Sequence, residues 1–154
     1  MKISQLLSPE RVVIGADVSS KKRLLEQLAD LLVSGDPALE SAEVFNSLLA
    51  RERLGATALG HGVALPHGRL CGLDNTLAAF IHARQGVDFD APDDRGVDLV
   101  FALAVPEQAA DEHLELLAQL AGLCRDPEQR EALRAAQSSE DLIAVIARWE
   151  AQQA

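Results

Sequence analysis

The sequence predicts an α/β fold in three layers, α/β/α, with a mixed β-sheet covered by helices on both sides. Residues 76–83 and 97–105 form two nearly continuous apolar runs bounded by polar segments. Such runs are typical of strands buried on both faces, which need helices on both sides of the sheet. Amphipathic segments with helical spacing lie before and after them. With 154 residues the chain is long enough to bury a core, and we expect residues 1–154 to form a single domain.

Two helices are predicted ahead of the apolar runs. Ser19 or Ser20 can cap a first helix that runs to about Val33, and Ser41 can open a second that ends near Arg53. Both segments place apolar residues on one helical face. The residues expected to face the core are Leu24, Leu25, Leu28, Leu31 and Leu32 in the first helix and Val44, Phe45, Leu48 and Leu49 in the second.

Residues 55–72 contain five glycines, which predicts short elements joined by tight turns. The runs 56–59 and 63–65 are candidate short strands within this segment. Residues 84–96 are polar and include Pro92, so we expect a loop or a short, irregular edge strand there.

Three helices are predicted after the second apolar run. The first covers about 111–124, and the second begins at Pro127, where a first-turn proline is tolerated. Ser138 and Asp141 resemble a capping box for the third. The residues expected to face the core are Leu114, Leu117, Leu120 and Ala121 in the first of these helices and Leu142, Val145, Ile146 and Trp149 in the last.

Charge and composition exclude several classes of protein. The formal net charge is −10, from 14 basic and 24 acidic residues, whereas nucleic-acid and anionic-membrane surfaces need clustered Lys and Arg. The N-terminus lacks an apolar signal-peptide core and no stretch is long enough to cross a bilayer, so we expect a cytoplasmic protein without direct membrane insertion. Cys71 and Cys124 are too few for a disulfide framework and are expected to be free thiols.

The segment 60–68, Gly-His-Gly-Val-Ala-Leu-Pro-His-Gly, is the most informative part of the chain. Pro66 fixes its own φ and favours an extended residue before it, and Gly68 would let the chain turn away, so we expect His67 at the end of a short strand. The two glycines near the start of the segment would let main-chain N–H groups approach a small anion. Because a neutral imidazole is a nucleophile available near pH 7, the segment predicts a phosphohistidine site.

Arg51 is a candidate donor to the phosphoryl oxygens because its planar guanidinium suits phosphate. The run 51–57, the segment 60–68 and the later run 97–106 followed by His113 resemble the IIA components of the bacterial phosphoenolpyruvate-dependent phosphotransferase system, of the fructose/mannitol type. The chain is most similar to the nitrogen-regulatory branch of that family. The resemblance covers nearly the whole chain, and the fold it implies, a mixed sheet between helical layers, agrees with the fold predicted above.

The resemblance implies a role for individual residues. His67 matches the phosphorylated histidine of the family, and Arg51 matches an arginine that supports the phosphoryl group. His113 matches a second histidine that lies beside the first and orients or stabilises the phosphorylated state. Thr57 and Gly62 match positions that line the same pocket.

His61 is also included among the predicted pocket residues. It stands six positions before the acceptor histidine, where carbohydrate-type relatives often carry a glutamate. The substitution removes a carboxylate partner for Arg51 and favours a regulatory function over sugar transport.

The resemblance implies a phosphoryl carrier whose donor is a histidine-phosphorylated carrier protein, similar to HPr or to its nitrogen-branch counterpart NPr. It also implies regulation of nitrogen metabolism and potassium homeostasis through phosphorylation-dependent binding to target proteins such as potassium transporters or sensor kinases. Neither a cofactor nor a nucleic-acid partner is implied. A sugar-specific function stays open as an alternative, in which a fructose- or mannitol-type IIB partner receives the phosphoryl group.

A metal site built from His61, His67 and His113 is a further alternative. The first two lie six residues apart across a proline, which is not a usual zinc spacing, and no cysteine pair supports it. We therefore expect no metal. A hydrolase is disfavoured as well, since the chain has no G-x-S-x-G nucleophile motif.

Overall fold

The computed structural model describes residues 2–153, except for the side chain of residue 110. Within this range the helices are α1 (Ile3–Leu6), α2 (Lys21–Val33), α3 (Ser41–Leu54), α4 (Ala110–Arg125), α5 (Pro127–Ala135) and α6 (Ser139–Gln152). The strands are β1 (Val12–Ala16), β2 (Ala58–Gly60), β3 (Val63–Ala64), β4 (His67–Leu70), β5 (Leu77–Val87) and β6 (Val97–Pro106). A 3₁₀ turn over Pro9–Arg11 leads into β1.

The six strands form one mixed sheet in the order β1-β5-β6-β3-β2, and β4 also pairs with β6. Strands β5 and β6 run antiparallel, whereas β1 lies parallel to β5. Strands β3 and β4 both lie parallel to β6 and follow one another along it, with Val63 opposite Leu99 and His67 opposite Leu103. This register fixes His67 against the most buried strand of the sheet.

Side chains of β5 alternate between two helical layers, as the period of two in a strand requires. Ala79 and Ile81 pack in the core beneath α2 and α3, whereas Ala78 and Phe80 pack in the core formed with α1, α4, α5 and α6. Strand β6 is buried along nearly its whole length. The predicted three-layer α/β/α fold with a mixed sheet is therefore confirmed.

Several predicted helix starts are confirmed by their capping contacts. The Ser20 side chain accepts a hydrogen bond of 3.2 Å from the backbone N–H of Arg23, and that of Ser138 accepts one of 3.1 Å from Asp141. Pro127 is the first residue of α5, as predicted. These contacts satisfy N–H groups that have no partner within their own helix.

Two parts of the sheet differ from the sequence prediction. Residues 84–87 belong to β5, so the expectation of a loop or edge strand over 84–96 is wrong for these residues. Their polarity reflects the exposed end of a long strand, since Arg84, Gln85 and Gly86 are exposed. Strand β1 was not predicted, although its run Val-Val-Ile-Gly-Ala is apolar and β-branched.

Helix α4 buries a different face from the one predicted. Leu114 is 65% exposed, and the buried leucines are Leu116, Leu120 and Leu123. Leu117 and Ala121 are only half-buried. The buried stripe of α4 contains His113, Leu116, Leu120 and Leu123, so it is rotated relative to the prediction and shares Leu120 with it.

Cys71 is exposed, Cys124 is buried, and both are free thiols, as predicted. Among residues 2–153, none of the helices has the length and apolar character that crossing a membrane requires.

Candidate phosphoryl-acceptor site

His67 is the first residue of β4, directly after Pro66. Its Nδ1 lies 2.8 Å from the carbonyl oxygen of Leu65. Because a carbonyl oxygen can only accept, Nδ1 donates the proton and Nε2 keeps its lone pair. Burial lowers the pKa of His67; the bond to Leu65 opposes this shift and the charge of Arg51 reinforces it. The ring is therefore neutral near pH 7 with Nε2 as its nucleophilic atom.

Arg51 lies in the last turn of α3 and points its guanidinium at this nitrogen. Its Nε donates to Nε2 of His67 at 3.2 Å, and its Nη1 donates to the carbonyl oxygen of Gly55 at 2.8 Å. The second bond anchors the guanidinium, so its N–H groups already face the place where a group bound to Nε2 would sit. Such pre-aimed donors stabilise transferred charge without reorganisation.

His113 stands beside His67 on the first turn of α4. The ring centroids are 4.7 Å apart at an interplanar angle of 62°. His113 is 6% exposed, and within the described residues neither of its ring nitrogens has a hydrogen-bond partner. Burial lowers its pKa to about 4, and the neighbouring His67, Arg69 and Arg51 add to the shift. A neutral ring with an unused N–H thus lies next to the acceptor.

Sequence reasoning missed Arg69, which belongs to the same site. A cleft of about 520 Å³ opens over His67 and Arg51, with Arg69 and His113 also in its lining. Arg69 and His67 are two residues apart in β4, so their side chains leave the same face of the strand. The two-residue spacing between His67 and Arg69 could have predicted a second positively charged side chain at the site.

Thr57 lines a smaller cleft of about 340 Å³ on the other side of His67 and Arg51. Its hydroxyl donates to the carboxylate of Glu52, and its backbone N–H donates to the same carboxylate at 3.2 Å. Glu52 is buried and pairs with Nζ of Lys21 at 2.9 Å. Thr57 therefore fixes the loop after α3 to a buried carboxylate that sequence reasoning did not single out.

A family model described as "Phosphoenolpyruvate-dependent sugar phosphotransferase system, EIIA 2" matches residues 5–149. The chain belongs to this EIIA family. The resemblance inferred from the sequence is thereby confirmed.

Nitrogen regulatory proteins and a mannitol-type IIA protein are among the relatives of this chain. The chain is 42% identical over 146 residues to the "Nitrogen regulatory protein" of Pseudomonas aeruginosa, with 95% of each chain covered. The crystal structure of Nitrogen Regulatory Protein IIA-Ntr from Neisseria meningitidis has 45% identity and a TM-score of 0.89, covering 94% of this chain and 98% of that one. IIA mannitol from Escherichia coli has 26% identity and a TM-score of 0.74, covering 91% and 98%.

Gly68 differs from its predicted role in this EIIA chain. It continues β4 instead of turning the chain away, and His67 begins a strand instead of ending one. A Cβ on Gly68 would overlap Oγ of Ser47 and lie 3.0 Å from Ser47 Cβ and 3.1 Å from its carbonyl carbon. Gly68 therefore lets α3, which carries Arg51, lie directly against β4.

The structure does not bring His61 and Gly62 to the acceptor site. They form the two-residue turn between β2 and β3, with φ of 57° and 81°, and such turns require positive φ at both positions. Both residues line a separate cleft. The predicted shared pocket is thus corrected, and the three-histidine metal set is not assembled; no cluster of potential metal ligands occurs within residues 2–153.

Proposed function

We propose that this protein is a phosphohistidine carrier of the nitrogen-related phosphotransferase system. It accepts a phosphoryl group on Nε2 of His67 from a histidine-phosphorylated carrier protein similar to HPr or NPr. The observation that carries the proposal is the pair of contacts at His67. Leu65 holds the proton on Nδ1, and Arg51 stands at the lone pair of Nε2.

The transfer requires the Nε2 lone pair to attack the phosphorus of the donor phosphohistidine. A P–Nε2 bond forms while the donor's N–P bond breaks, and its electron pair returns to the donor ring. The N–H of Arg51 then exchanges its nitrogen acceptor for a phosphoryl oxygen. The phosphorylated ring keeps its proton on Nδ1, where the carbonyl of Leu65 stabilises the positive charge on the ring.

Three donors lie around the place that the phosphoryl group would occupy. Arg51, Arg69 and the unused N–H of His113 all face the cleft of about 520 Å³. A phosphoryl group carries its charge on three oxygens, and dispersed donors suit that charge distribution. This arrangement supports the role proposed for His113 in orienting or stabilising the phosphorylated state.

Exposed leucines suggest where the donor protein docks. The large apolar side chains exposed in the described residues are Leu54, Leu59 and Leu114. Leu54 lines one cleft at His67, Leu59 lines the other, and Leu114 follows His113 on α4. We call these three leucines the apolar rim; exposed apolar side chains grouped at a site mark a protein-interaction surface.

The regulatory output follows from the same surface. A phosphoryl group on His67 adds negative charge at the centre of the apolar rim, so partners that bind the rim would distinguish the two states. We propose that these partners include regulatory targets such as potassium transporters or sensor kinases, and that the protein regulates nitrogen metabolism and potassium homeostasis. The similarity to nitrogen regulatory proteins supports the nitrogen-regulatory part of this proposal.

A labelling assay tests the carrier function. The protein is incubated with phosphoenolpyruvate, the system's first enzyme and a histidine phosphocarrier, and its intact mass is measured. We expect one acid-labile phosphoryl group in the wild type and in His61→Asn, and none in His67→Ala. Full labelling of His67→Ala, in a protein with a wild-type circular dichroism spectrum, would contradict the proposal.

The sugar-specific alternative has the structural likeness to IIA mannitol in its favour, but at 26% identity against 45% for the nitrogen regulatory structure. Uptake assays separate the two functions. A strain lacking its own fructose or mannitol IIA should not regain sugar uptake when it expresses this protein. Restored uptake would establish the sugar-specific function instead.

A further inference from the structure

A third cleft, the one lined by His61 and Gly62, lies away from His67, where β5 ends and β6 begins. It encloses about 530 Å³, within the range of small-molecule sites. Asp98 in its wall precedes Leu103, the residue paired with His67, by five positions in β6. At the ordinary rise of a strand the two residues are about 17 Å apart. The cleft is therefore separate from the acceptor site.

The lining of this cleft is basic, although the protein as a whole carries a net charge of −10. Its charged and titratable residues are Arg84, Arg95, Arg130, Arg134, His61 and Asp98. Four of the 14 basic residues of the chain thus converge on one cavity, and Asp98 is the single carboxylate among its described lining residues. Such a local surplus of positive charge concentrates anions even on an acidic protein.

Arg134 and Asp98 hold the wall of the cleft in place. Nε and Nη2 of Arg134 each donate to the carboxylate of Asp98 at 2.9 Å, and Nη2 also donates to the carbonyl oxygen of His61 at 2.6 Å. A Cβ on Gly62 would lie 2.5 Å from Nη2 of Arg134. The charges of Arg134 and Asp98 cancel, and the pair holds the turn at His61 in place. The surplus positive charge of the cleft therefore comes from the other three arginines.

Arg84 and Arg95 are only lightly engaged, whereas Arg130 is partly buried and hydrogen-bonded to the main chain. Arg130 donates to main-chain carbonyl oxygens at the end of α4, and Arg84 meets the exposed carboxylate of Asp17 at 3.7 Å. Arg95 is exposed, and its guanidinium takes part in no hydrogen bond or ion pair found within residues 2–153. Exposed ion pairs contribute little, so the guanidinium groups of Arg84 and Arg95 can turn to a ligand at small cost.

The floor of the cleft is bare main chain. Gly86 at the end of β5 and Gly96 before β6 pack against each other, and a Cβ on either would lie about 3 Å from the other's Cα. Both line the cavity. Among its described lining residues only His61 carries an aromatic ring, so the cleft offers charge and space but little stacking surface for a nucleobase.

We propose that this cleft binds a small metabolite bearing a diphosphate group. Planar guanidinium groups pair with phosphate oxygens in a bidentate way. Three guanidinium groups match a ligand that carries several negative charges better than they match a ligand with a single carboxylate. The side-chain-free floor leaves room for the ligand to lie between the arginines. This site goes beyond the proposed phosphoryl relay and does not depend on it.

Titration calorimetry with inorganic pyrophosphate tests the proposal, using the full chain at constant ionic strength. We expect saturable binding at one site per chain, weaker binding of inorganic phosphate, and an affinity that falls with added salt. Arg95→Gln and Arg84→Gln should each raise the Kd at least about tenfold, because each removes a charged hydrogen bond. The matched control Arg148→Gln, at an exposed position on α6, should bind like the wild type.

Two further measurements locate the site. His67→Ala should bind pyrophosphate as the wild type does, and the amide resonances of Gly62, Gly86 and Gly96 should shift on titration. Loss of binding in His67→Ala, or shifts confined to residues around His67, would place the anion at the acceptor site and overturn the proposal. Absence of saturable binding, or equal loss in Arg148→Gln, would also overturn it.

Discussion

The imidazole of His113 meets that of His67 edge-on, with 4.7 Å between the ring centroids. Both rings are buried, and the pKa of each is lowered chiefly by burial. Both ring nitrogens of His67 are hydrogen-bonded, Nδ1 to Leu65 and Nε2 to Arg51. Neither ring nitrogen of His113 has a hydrogen-bond partner among the described residues. The pair thus combines a nucleophile of defined tautomer with a spare donor beside it.

Arg51→Lys should slow phosphorylation of His67 at least about tenfold while leaving the fold intact. A lysine keeps the charge but cannot bond Nε2 of His67 and the carbonyl of Gly55 from one planar group. The initial rate of labelling by the phosphocarrier measures the effect. Arg53→Lys, at an exposed position on the same helix, is the matched control. Equal rates for both variants would contradict the role of Arg51.

Folding stability should decrease as the pH falls from 6.5 toward 4. The folded pKa of His113 is about 4 against an ordinary value of 6.5, so the unfolded chain binds a proton that the folded chain does not. This contribution is fully present above pH 6.5 and is lost below it, and the lowered pKa of His67 acts in the same direction. Urea unfolding at pH 7 and pH 5 measures the free energy of unfolding at each pH.

In that experiment His113→Gln should lose less stability between pH 7 and pH 5 than the wild type does. The control His61→Asn changes an exposed histidine in a turn that tolerates asparagine, and it should lose as much as the wild type. An unchanged pH dependence in His113→Gln would show that this ring is not held neutral by the fold.

Gly68→Ala should destabilise the protein by about 2 kcal/mol, the usual cost of overpacking. Its methyl group would overlap Ser47 and push α3 away from β4. Because α3 carries Arg51, labelling of His67 should slow as well. Gly122→Ala is the control, since a Cβ there makes ordinary contact with Trp149 at 3.6 Å and favours the helix. Equal stability of the two variants, by urea unfolding, would contradict the close-packing argument.

Leu114→Glu should raise the KM for the phosphocarrier without changing the thermal unfolding midpoint. Leu114 is 65% exposed, so the substitution costs the fold little but places a charge on the apolar rim. Ala147→Glu adds the same charge at an exposed position on α6 and should leave the KM unchanged. If both variants raise the KM equally, net charge rather than the rim governs recognition.

Patterns among residues close together in the chain predicted the buried strands and several helix starts. The apolar runs around Phe80 and Phe101 required a sheet buried on both faces, and the caps at Ser20 and Ser138 placed helix starts. These features depend on residues close together in the chain, where spacing and turn chemistry act directly. The short strand β1 escaped prediction because its pairing partner, β5, lies more than sixty residues away.

Side-chain partners at the site were harder to predict. In the sequence Glu52 is not distinguished from the other acidic residues. Only the folded structure buries it between Thr57 and Lys21. Likewise His61 and Gly62 lie within seven residues of His67 along the chain, yet the positive-φ turn directs them to another cleft. Proximity in sequence did not imply proximity in the site.

The sequence by itself determined the layered α/β fold, the family motif and the candidate acceptor His67, because periodicity and the Pro-His-Gly segment are local properties. Only the tertiary structure decided which atoms serve the acceptor. The approach of Arg51 and the burial of His113 arise where α3, β4 and α4 meet. The Arg51–His67 and His67–His113 contacts join residues 16 and 46 positions apart, and their geometry depends on how helices pack against the sheet rather than on any spacing within one segment.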